Sequence, residues 1–243
     1  MRVHATIDPL AWETEFFALN SAKLNFSATS PALAEDGLAA YALVQAKIPA
    51  HQTALADGLA RLGFQLVEGE VDLVLNTGTE CALPLTVTPQ AIRSAVPADI
   101  PVLRAAAASV FTASRFRAPW YHSQDSGRFY AEWIEKAVLG TFDHQCLLAL
   151  DDTGQPEGFV SLRELGGSEA RIGLLASFPG AAGKGIGSRL MTAVIAECRQ
   201  RSLQRLRVAT QFGNIAALRL YQRQGAVIES TSYWLYRGRH DPI

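Results

Sequence analysis

The sequence is poor in residues that form disulfides or metal sites. Its three cysteines, Cys81, Cys146 and Cys198, are odd in number and far apart. A disulfide framework requires paired cysteines, so we expect reduced and mostly buried thiols. The five histidines share no short metal-ligand spacing with one another or with cysteine. We therefore predict no metal site.

Long apolar runs and an excess of either charge are also missing. No stretch of about 18 uncharged apolar residues occurs, and the first residues carry no basic segment followed by an apolar core. The 22 basic and 23 acidic side chains give a net charge of -1, which disfavours a broad polyanion-binding surface. We therefore expect a cytoplasmic globular protein with no membrane insertion and no nucleic-acid partner.

The order of predicted helices and strands indicates a mixed α/β protein built from two units. Residues 76–90 lack helical periodicity and contain Gly, Thr and Pro, which is typical of a connection between units. We therefore predict a boundary near residue 80. It separates a smaller α/β domain of residues 1–80 from a larger domain of residues 81–243.

The larger domain is expected to begin with two helices, one capped by Asp99 and one opened by Ser126. A strand pattern follows. Three β-rich runs separated by short turns predict an antiparallel meander, and they read HQCLLALDD, PEGFVSLREL and EARIGLLASFP. An amphipathic helix from Ile186, another strand, a short helix that ends at Gly225, and closing strands complete the mixed sheet.

A glycine-rich loop, LLASFPGAAGKGIGSRLM, joins the third of these strands to the helix from Ile186. Glycine lets the backbone approach a ligand closely, and a helix N-terminus favours anions, so the loop predicts pyrophosphate binding. A Walker A loop fits poorly because Lys184 lies inside the glycines, and a Rossmann loop fits poorly because a meander precedes it. A glycine-rich turn without a ligand is the remaining alternative.

Strand, glycine loop, helix, strand and an Asn-headed short helix that contains Tyr together resemble the GNAT superfamily of N-acetyltransferases. The loop motif corresponds to AGKGIG, residues 182–187, with Ala182 in place of the usual Arg or Gln and Lys184 as a substitute charge. The resemblance implies acetyl-CoA as the acetyl donor. It assigns the cofactor to the end of the IGLLA strand, the loop and the short helix, namely Leu175, Ala176, Gly183, Lys184, Gly185, Ile186, Gly187 and Asn214.

The same resemblance makes Tyr221 the general acid that protonates the coenzyme A sulfur, and it implies direct attack of an amine on the thioester. Backbone N–H groups near Leu175 would face the acetyl carbonyl. Asn214 and Tyr221 are seven residues apart, about two helical turns, so both lie on one helix face. The alternative is a plain N-cap and a core aromatic. The general base stays open among four carboxylates, Glu68, Asp143, Glu164 and Glu229.

Further segments across the chain resemble a nucleotide-sugar N-acetyltransferase group within this superfamily, among them FRAPWY, GTFDHQC and ESTSYWLYR. A nucleotide-sugar substrate is therefore implied, and a homodimer is kept open. The segment SRFRAPWYHSQDSGRFY could bind the substrate through Arg for diphosphate and aromatic faces for the base and sugar, with Arg115, Arg117, Trp120 and Tyr121 as candidates. Ordinary loop packing is the alternative.

Two rival functions are also kept. One is acetylation of a different amine, and the other is a coenzyme A-binding module without catalysis, which Ala182 motivates. Finally, residues 55–75 follow the same order as LRLYQRQGAVIESTSYWLY: an amphipathic helix, a Gly, an apolar pair, a Glu and a strand. The smaller domain is therefore either a truncated copy of the acetyltransferase fold or similar to it by chance.

Overall fold

The computed structural model describes residues 2–78 and 92–238, so the predicted boundary near residue 80 and Cys81 lie outside the described residues. Ten strands are present within these two stretches. They are β1 (Ala5–Pro9), β2 (Ser21–Phe26), β3 (Leu43–Pro49), β4 (Gln65–Asn76), β5 (Ile92–Ser94), β6 (Gln145–Leu150), β7 (Pro156–Gly166), β8 (Glu169–Ser177), β9 (Arg205–Gln211) and β10 (Val227–Gly238).

Seven α-helices accompany the strands in the same described stretches. They are α1 (Ala11–Phe17), α2 (Glu35–Ala39), α3 (Thr53–Arg61), α4 (Ile100–Val110), α5 (Asp125–Val138), α6 (Ile186–Gln200) and α7 (Ile215–Arg223). No helix of the described residues is both long and apolar enough to cross a membrane.

All ten strands form one sheet in the order β1-β2-β3-β10-β4-β9-β8-β7-β6-β5. The mixed α/β fold is therefore confirmed. Strand β4, from the predicted smaller domain, lies between β9 and β10 of the larger one and pairs antiparallel with both. The two predicted domains thus share one continuous sheet, although a long connection separates them in sequence.

The local predictions for the second half are largely confirmed. Strands β6, β7 and β8 form the antiparallel meander. Helix α6 begins at Ile186 and buries the predicted apolar face, including Leu190, Val194 and Cys198. Burial of one such aliphatic side chain stabilises the fold by about 2 kcal/mol, so this face holds α6 on the sheet.

Two predicted helix caps differ from the structure. Helix α5 begins at Asp125 with Gln124 as its N-cap, two residues before the predicted cap. Ser126 lies inside the helix, and its buried hydroxyl has no hydrogen-bond partner among the described residues. Asp99 stands at the N-cap of α4 but makes no cap hydrogen bond. Its carboxylate accepts from the Arg93 guanidinium at 2.7 and 2.8 Å and from the Val96 N–H at 2.8 Å instead. Asp99 thus closes the 3-10 turn Pro97–Asp99 that leads into α4 and pairs with Arg93, instead of capping α4 itself.

Eight of the strands are arranged with an internal symmetry. In each half, an antiparallel pair (β1·β2 or β7·β8) is followed by a parallel strand (β3 or β9), a nine-residue helix (α3 or α7) and a twelve-residue strand (β4 or β10). Each last strand pairs with the parallel strand of the other half. This arrangement supports the truncated-copy interpretation over chance similarity.

Both described cysteines are buried free thiols, as predicted. Cys146 lies on β6 and Cys198 on α6. Burial raises the pKa of each to about 12, so neither thiol is ionised near neutral pH. Neither is therefore a candidate nucleophile, which agrees with a mechanism of direct attack.

Candidate active site

A cavity of about 570 Å³ opens where strands β8 and β9 part from each other. The parallel register joins Glu169–Arg171 of β8 to Arg205–Arg207 of β9. Beyond that point the facing edges of both strands line the cavity, from Ile172 on one side and Val208 on the other. Unpaired strand edges offer backbone donors and acceptors to an elongated ligand. Leu175 and Ala176, two of the predicted cofactor residues, line this opening.

The glycine loop brings the N-terminus of α6 to one end of the cavity. Gly185 is the N-cap, with φ of 78°, and as a glycine it has no side chain that could cap the helix. The first N–H groups of a helix lack intrahelical partners, so a helix without a side-chain cap leaves them available to an anion. Ala182 and Gly187 line the cavity. A Cβ at Gly187 would lie 2.8 Å from Leu220 Cδ2, which makes glycine the residue that fits against α7.

The remaining loop residues have more limited access to a ligand. Lys184 Nζ lies 3.2 Å from Glu157 Oε1, and Glu157 also contacts Arg189 at 3.3 Å. The charge of Lys184 is therefore partly compensated, although its side chain is 59% exposed and free to turn. The Ile186 side chain is buried in the core, so this residue offers a ligand its backbone. A Cβ at Gly183 would meet nothing within 4 Å.

Helix α7 presents both of its predicted site residues to the cavity. Asn214 is the N-cap, and its Oδ1 accepts from the Ala217 N–H at 3.1 Å. It thus serves as a cap and also lines the cavity. Tyr221 is 5% exposed and lines the same wall. Among residues 2–78 and 92–238, no hydrogen-bond partner of its hydroxyl is found, and burial raises its pKa above the ordinary value.

The cavity wall also contains charged and aromatic groups from both halves of the chain. Glu68 and Glu70 come from β4, and Trp234 comes from β10. The guanidinium of Arg115 lies 4.2 Å from the Phe116 ring centre and 4.0 Å from that of Trp234. A cation between two aromatic faces is stabilised by both rings.

The two β4 carboxylates have different environments. Glu70 accepts from Lys47 Nζ at 2.6 Å and from Trp234 Nε1 at 3.0 Å. Burial raises its pKa, but these hydrogen bonds and the charge of Lys47 outweigh burial and hold the pKa below its usual range. Glu68 accepts from the backbone N–H of Gly69 at 3.0 Å, and burial raises its pKa. Glu68 is therefore the less compensated carboxylate of the cavity wall.

The other three candidate bases lie elsewhere. Asp143 is fully buried beneath the sheet and accepts hydrogen bonds from Trp133, Ser161 and Arg163. Glu164 forms an ion pair with Arg201. Glu229 forms ion pairs with Arg205 and Arg207, and the latter contact is short. Of the four candidates, Glu68 alone lines the cavity.

The predicted substrate residues separate into two groups. Arg115 lines the cavity, but its guanidinium donates to Gln45 Oε1 at 2.9 Å and, in a short contact, to the Tyr236 hydroxyl. Arg117 donates to the Val67 carbonyl oxygen at 3.1 Å. Trp120 and Tyr121 are 8% and 2% exposed and pack in an aromatic core cluster. For these two residues the alternative of ordinary packing describes their position better.

Trp133 and Trp234 also line the cavity, although neither was predicted as a site residue. Trp133 lies on α5 and Trp234 on β10, and both line the cavity beside Arg115 and Glu68. An isolated tryptophan in an amphipathic pattern is usually a core residue. No local signal therefore distinguished these two rings from the buried Trp120.

Comparison with known proteins shows which family the chain belongs to. The family model of the acetyltransferase (GNAT) family matches residues 108–226. Over 238 residues the chain is 50% identical to the dTDP-fucosamine acetyltransferase of Escherichia coli O6:H1 (strain CFT073), covering 98% of this chain and 100% of the relative. The chain belongs to the GNAT family of acetyltransferases. It is therefore an acetyl-transferring enzyme, as predicted.

Solved structures with a similar fold extend over both halves of the chain. A conserved protein of Staphylococcus epidermidis has a TM-score of 0.61 at 17% identity, covering 98% of this chain and 92% of that one. A tandem GNAT protein of the clavulanic acid biosynthesis pathway has a TM-score of 0.59 at 14% identity, covering 89% and 74%. At these identities the likeness concerns the fold alone.

Proposed function

We propose that this enzyme transfers the acetyl group of acetyl-CoA to the 4-amino group of dTDP-4-amino-4,6-dideoxy-D-galactose (dTDP-fucosamine), as a step of enterobacterial common antigen biosynthesis. The observation that carries the acetyl transfer is the cavity between the parted strands β8 and β9, lined by Tyr221, whose hydroxyl has no hydrogen-bond partner among the described residues. The 50% identity to a dTDP-fucosamine acetyltransferase over the whole length of that relative supports the acceptor.

Acetyl-CoA is proposed to enter along the β8 edge. Its pyrophosphate would receive hydrogen bonds from the loop and the first turn of α6, where Gly183, Gly185 and Gly187 permit close approach. The positive charge that the family usually places at Ala182 would come from Lys184, whose flexible side chain can leave Glu157 for a phosphate. Asn214 would complete the cofactor contacts from α7.

Chemistry is proposed to occur in the part of the cavity that Leu175 and Tyr221 line. The amine lone pair attacks the thioester carbonyl, and the backbone N–H of Leu175 stabilises the oxyanion of the tetrahedral intermediate. When that intermediate collapses, the C–S bond breaks and Tyr221 donates its phenolic proton to the departing sulfur. The raised pKa keeps this phenol protonated, so it is a donor at every physiological pH.

Glu68 is proposed to receive the acceptor amine. At neutral pH an amine of ordinary basicity is largely protonated, and a weakly compensated carboxylate attracts the ammonium group. Desolvation raises the pKa of Glu68 and brings it nearer to that of the amine, so a proton can pass to it directly or through one water molecule. Arg171, which lines the cavity near Glu70, is the proposed cation for the diphosphate.

Thiol release from acetyl-CoA tests this function. The assay offers dTDP-4-amino-4,6-dideoxygalactose, other amino-sugar nucleotides, aminoglycosides and peptides in parallel, with product identified by mass. Turnover confined to the dTDP-sugar is expected. Turnover with another amine alone would refute the acceptor and keep the acetyltransferase. Acetyl-CoA binding with no turnover on any amine would favour the rival coenzyme A-binding module.

A further inference from the structure

Asp143 forms a buried polar cluster directly behind the cavity wall. Its side chain has no exposed surface. Oδ1 accepts from Arg163 Nε at 2.8 Å and lies 2.8 Å from Arg163 Nη2, while Oδ2 accepts from Trp133 Nε1 at 2.8 Å and from Ser161 Oγ at 2.5 Å. Both oxygens of this carboxylate are therefore fully engaged. A buried charge satisfied by several donors is expensive to alter, so its geometry is rigid.

Ser161 extends this cluster to the backbone of β8. The register of β7 and β8 shifts between Val160 and Leu162, so Ser161 faces two residues, Gly173 and Leu174. Such a bulge leaves ladder hydrogen bonds unmatched. The Ser161 hydroxyl, which donates to Asp143, accepts the Leu174 N–H at 2.9 Å and thereby satisfies it.

The carboxylate and the bulge fit each other closely. A Cβ at Gly173 would lie 2.3 Å from Asp143 Oδ2 and 2.7 Å from Ser161 Oγ, distances that real Cβ atoms do not adopt. Glycine at 173 therefore leaves the space that the carboxylate occupies. The bulge cannot move toward the cluster, and the cluster cannot relax toward the bulge.

The residues that contact Asp143 and Ser161 include three that line the cavity. Trp133, Gly173 and Leu174 line it, and β8 loses its parallel pairing with β9 after Arg171, immediately before the bulge. Successive N–H groups of a strand point to opposite edges. Because the Leu174 N–H is held toward β7, the N–H of Leu175 is directed toward the open edge.

We propose that Asp143, acting through Ser161, is a positioning residue that directs the Leu175 backbone N–H of β8 toward the thioester carbonyl of acetyl-CoA. The inference rests on the proposed function for the identity of the bound group. Asp143 itself touches neither substrate. Its contribution is to fix the bulge and the Trp133 ring, so that the oxyanion donor is in place before the reaction begins.

The hydrogen bonds that connect Asp143 through Ser161 to the Leu174 N–H are called the relay below. Ser161→Ala tests this relay with the least change in side-chain volume. The Leu174 N–H loses its acceptor, the bulge relaxes, and we expect kcat with the proposed acceptor to fall about tenfold or more. The Kd of coenzyme A should stay within about threefold, since the glycine loop is untouched. Asp143→Asn should act in the same direction, because an amide cannot accept from all three side chains at once. It provides a second variant should Ser161→Ala fail to fold.

Ser21→Ala is the matched control. Ser21 is also fully buried, and its hydroxyl donates to the Leu19 carbonyl oxygen at 2.7 Å, far from the cavity. Loss of that hydroxyl should lower the melting temperature as Ser161→Ala does but leave kcat within about twofold. Equal kcat values for Ser161→Ala and Ser21→Ala would overturn the proposal, because the relay would then serve stability alone.

A second readout does not depend on the acceptor. Hydrogen exchange of residues 172–177, followed by mass spectrometry, should slow on addition of acetyl-CoA in the unmodified enzyme and in Ser21→Ala. In Ser161→Ala this protection should be lost while that of residues 180–188 persists. Full protection of residues 172–177 in Ser161→Ala would refute the relay. An enzyme without transfer to any amine would refute the proposed function, and the exchange result would still decide the relay.

Discussion

Ser232 lies directly opposite Glu70 in the pairing of β10 with β4, and the two residues are 162 positions apart. The same separation relates β3 to β9, α3 to α7 and β4 to β10, at both ends of each element. A residue that faces its own equivalent marks a pseudo-two-fold axis. The axis of the internal symmetry therefore passes between Glu70 and Ser232.

Exchange of the last strands explains how the smaller half reaches the active site. Each half gives its final strand to the sheet of the other, so β4 pairs with β9 beside the cavity. Glu68 thereby lines a cavity whose proposed cofactor residues all belong to the other half. The strand symmetry supports the truncated-copy interpretation of the first half, and Glu68 is its proposed contribution to acceptor binding.

Tyr221→Phe tests the proposed acid. Because the Tyr221 hydroxyl has no partner among the described residues, its loss should not lower the melting temperature, and the Kd of acetyl-CoA should change less than about threefold. Turnover should fall about tenfold or more as the thiolate loses its donor. Tyr41→Phe, a half-buried tyrosine packed in the first half, is the control. Unchanged kcat in Tyr221→Phe would remove this residue from the chemistry.

Glu68→Gln should lower kcat/KM about 10- to 100-fold but raise the stability at pH 7. The pKa of Glu68 is raised by burial, so its ionised form is disfavoured in the folded protein. That cost is present at neutral pH and absent below the ordinary value of 4.5. The gain in melting temperature should accordingly disappear in acid. A uniform gain at all pH values would contradict this origin.

Glu70→Gln should show the opposite sign. Lys47 and Trp234 hold the pKa of Glu70 below its ordinary value, so the ionised form stabilises the folded protein. The variant should melt at a lower temperature at pH 7, and the difference should shrink as the pH falls through the lowered pKa. Melting temperatures of Glu68→Gln and Glu70→Gln, measured from about pH 3 to 8, show how each of these two β4 carboxylates changes stability with pH. Parallel curves for the two variants would disprove the assigned environments.

Local sequence patterns predicted those structural features that depend on residues close together in the chain. The meander and the start of α6 at Ile186 follow from alternation and helical periodicity, and the structure confirms both. The position of β4 between β9 and β10 depends on pairing between residues far apart in the sequence, for example Val71 with Thr210, which are 139 positions apart. No local pattern specifies such a partner.

The aromatic and arginine-rich segment shows the same limit at the site. Composition suggested ligand binding for residues 115–121, yet Trp120 and Tyr121 pack in the core while Arg115 lines the cavity between two rings. The positions of Arg115 and Tyr121 depend on the first half of the chain, because Gln45 forms a hydrogen bond with each of them. Sequence spacing alone does not contain that information.

Gly185→Ala should weaken coenzyme A binding beyond its effect on stability. Its φ of 78° disfavours a Cβ, which costs about 1 kcal/mol, and the added methyl group faces the space proposed for the pyrophosphate. Gly154→Ala is a close match, with φ of 82° and no atom within 4 Å of an added Cβ, in the turn before β7. Calorimetry should show a Kd raised about tenfold in Gly185→Ala alone. Equal affinities would remove the loop from the cofactor site.

One molecule of acetyl-CoA should bind per chain, although the fold contains two related halves. A second cavity, lined by Arg2, Phe26 and Leu55 among others, lies at the end of β2 and the start of α3, as the main cavity lies at the end of β8 and the start of α7. The connection from β2 to α2, residues 27–34, contains no glycine, and α2 has five residues where α6 has fifteen. Without a close-approaching backbone and a full helix N-terminus, the pyrophosphate has no comparable site there.

Titration calorimetry with acetyl-CoA should therefore give a stoichiometry of one. In Gly185→Ala, whose single substitution affects the second half alone, the one binding event should weaken and no second event should remain at the original affinity. A stoichiometry of two, with one site insensitive to Gly185→Ala, would show that the first half has kept a cofactor site. The truncation of α2 would then have to be compensated by Arg2 and His4, the basic residues of the second cavity.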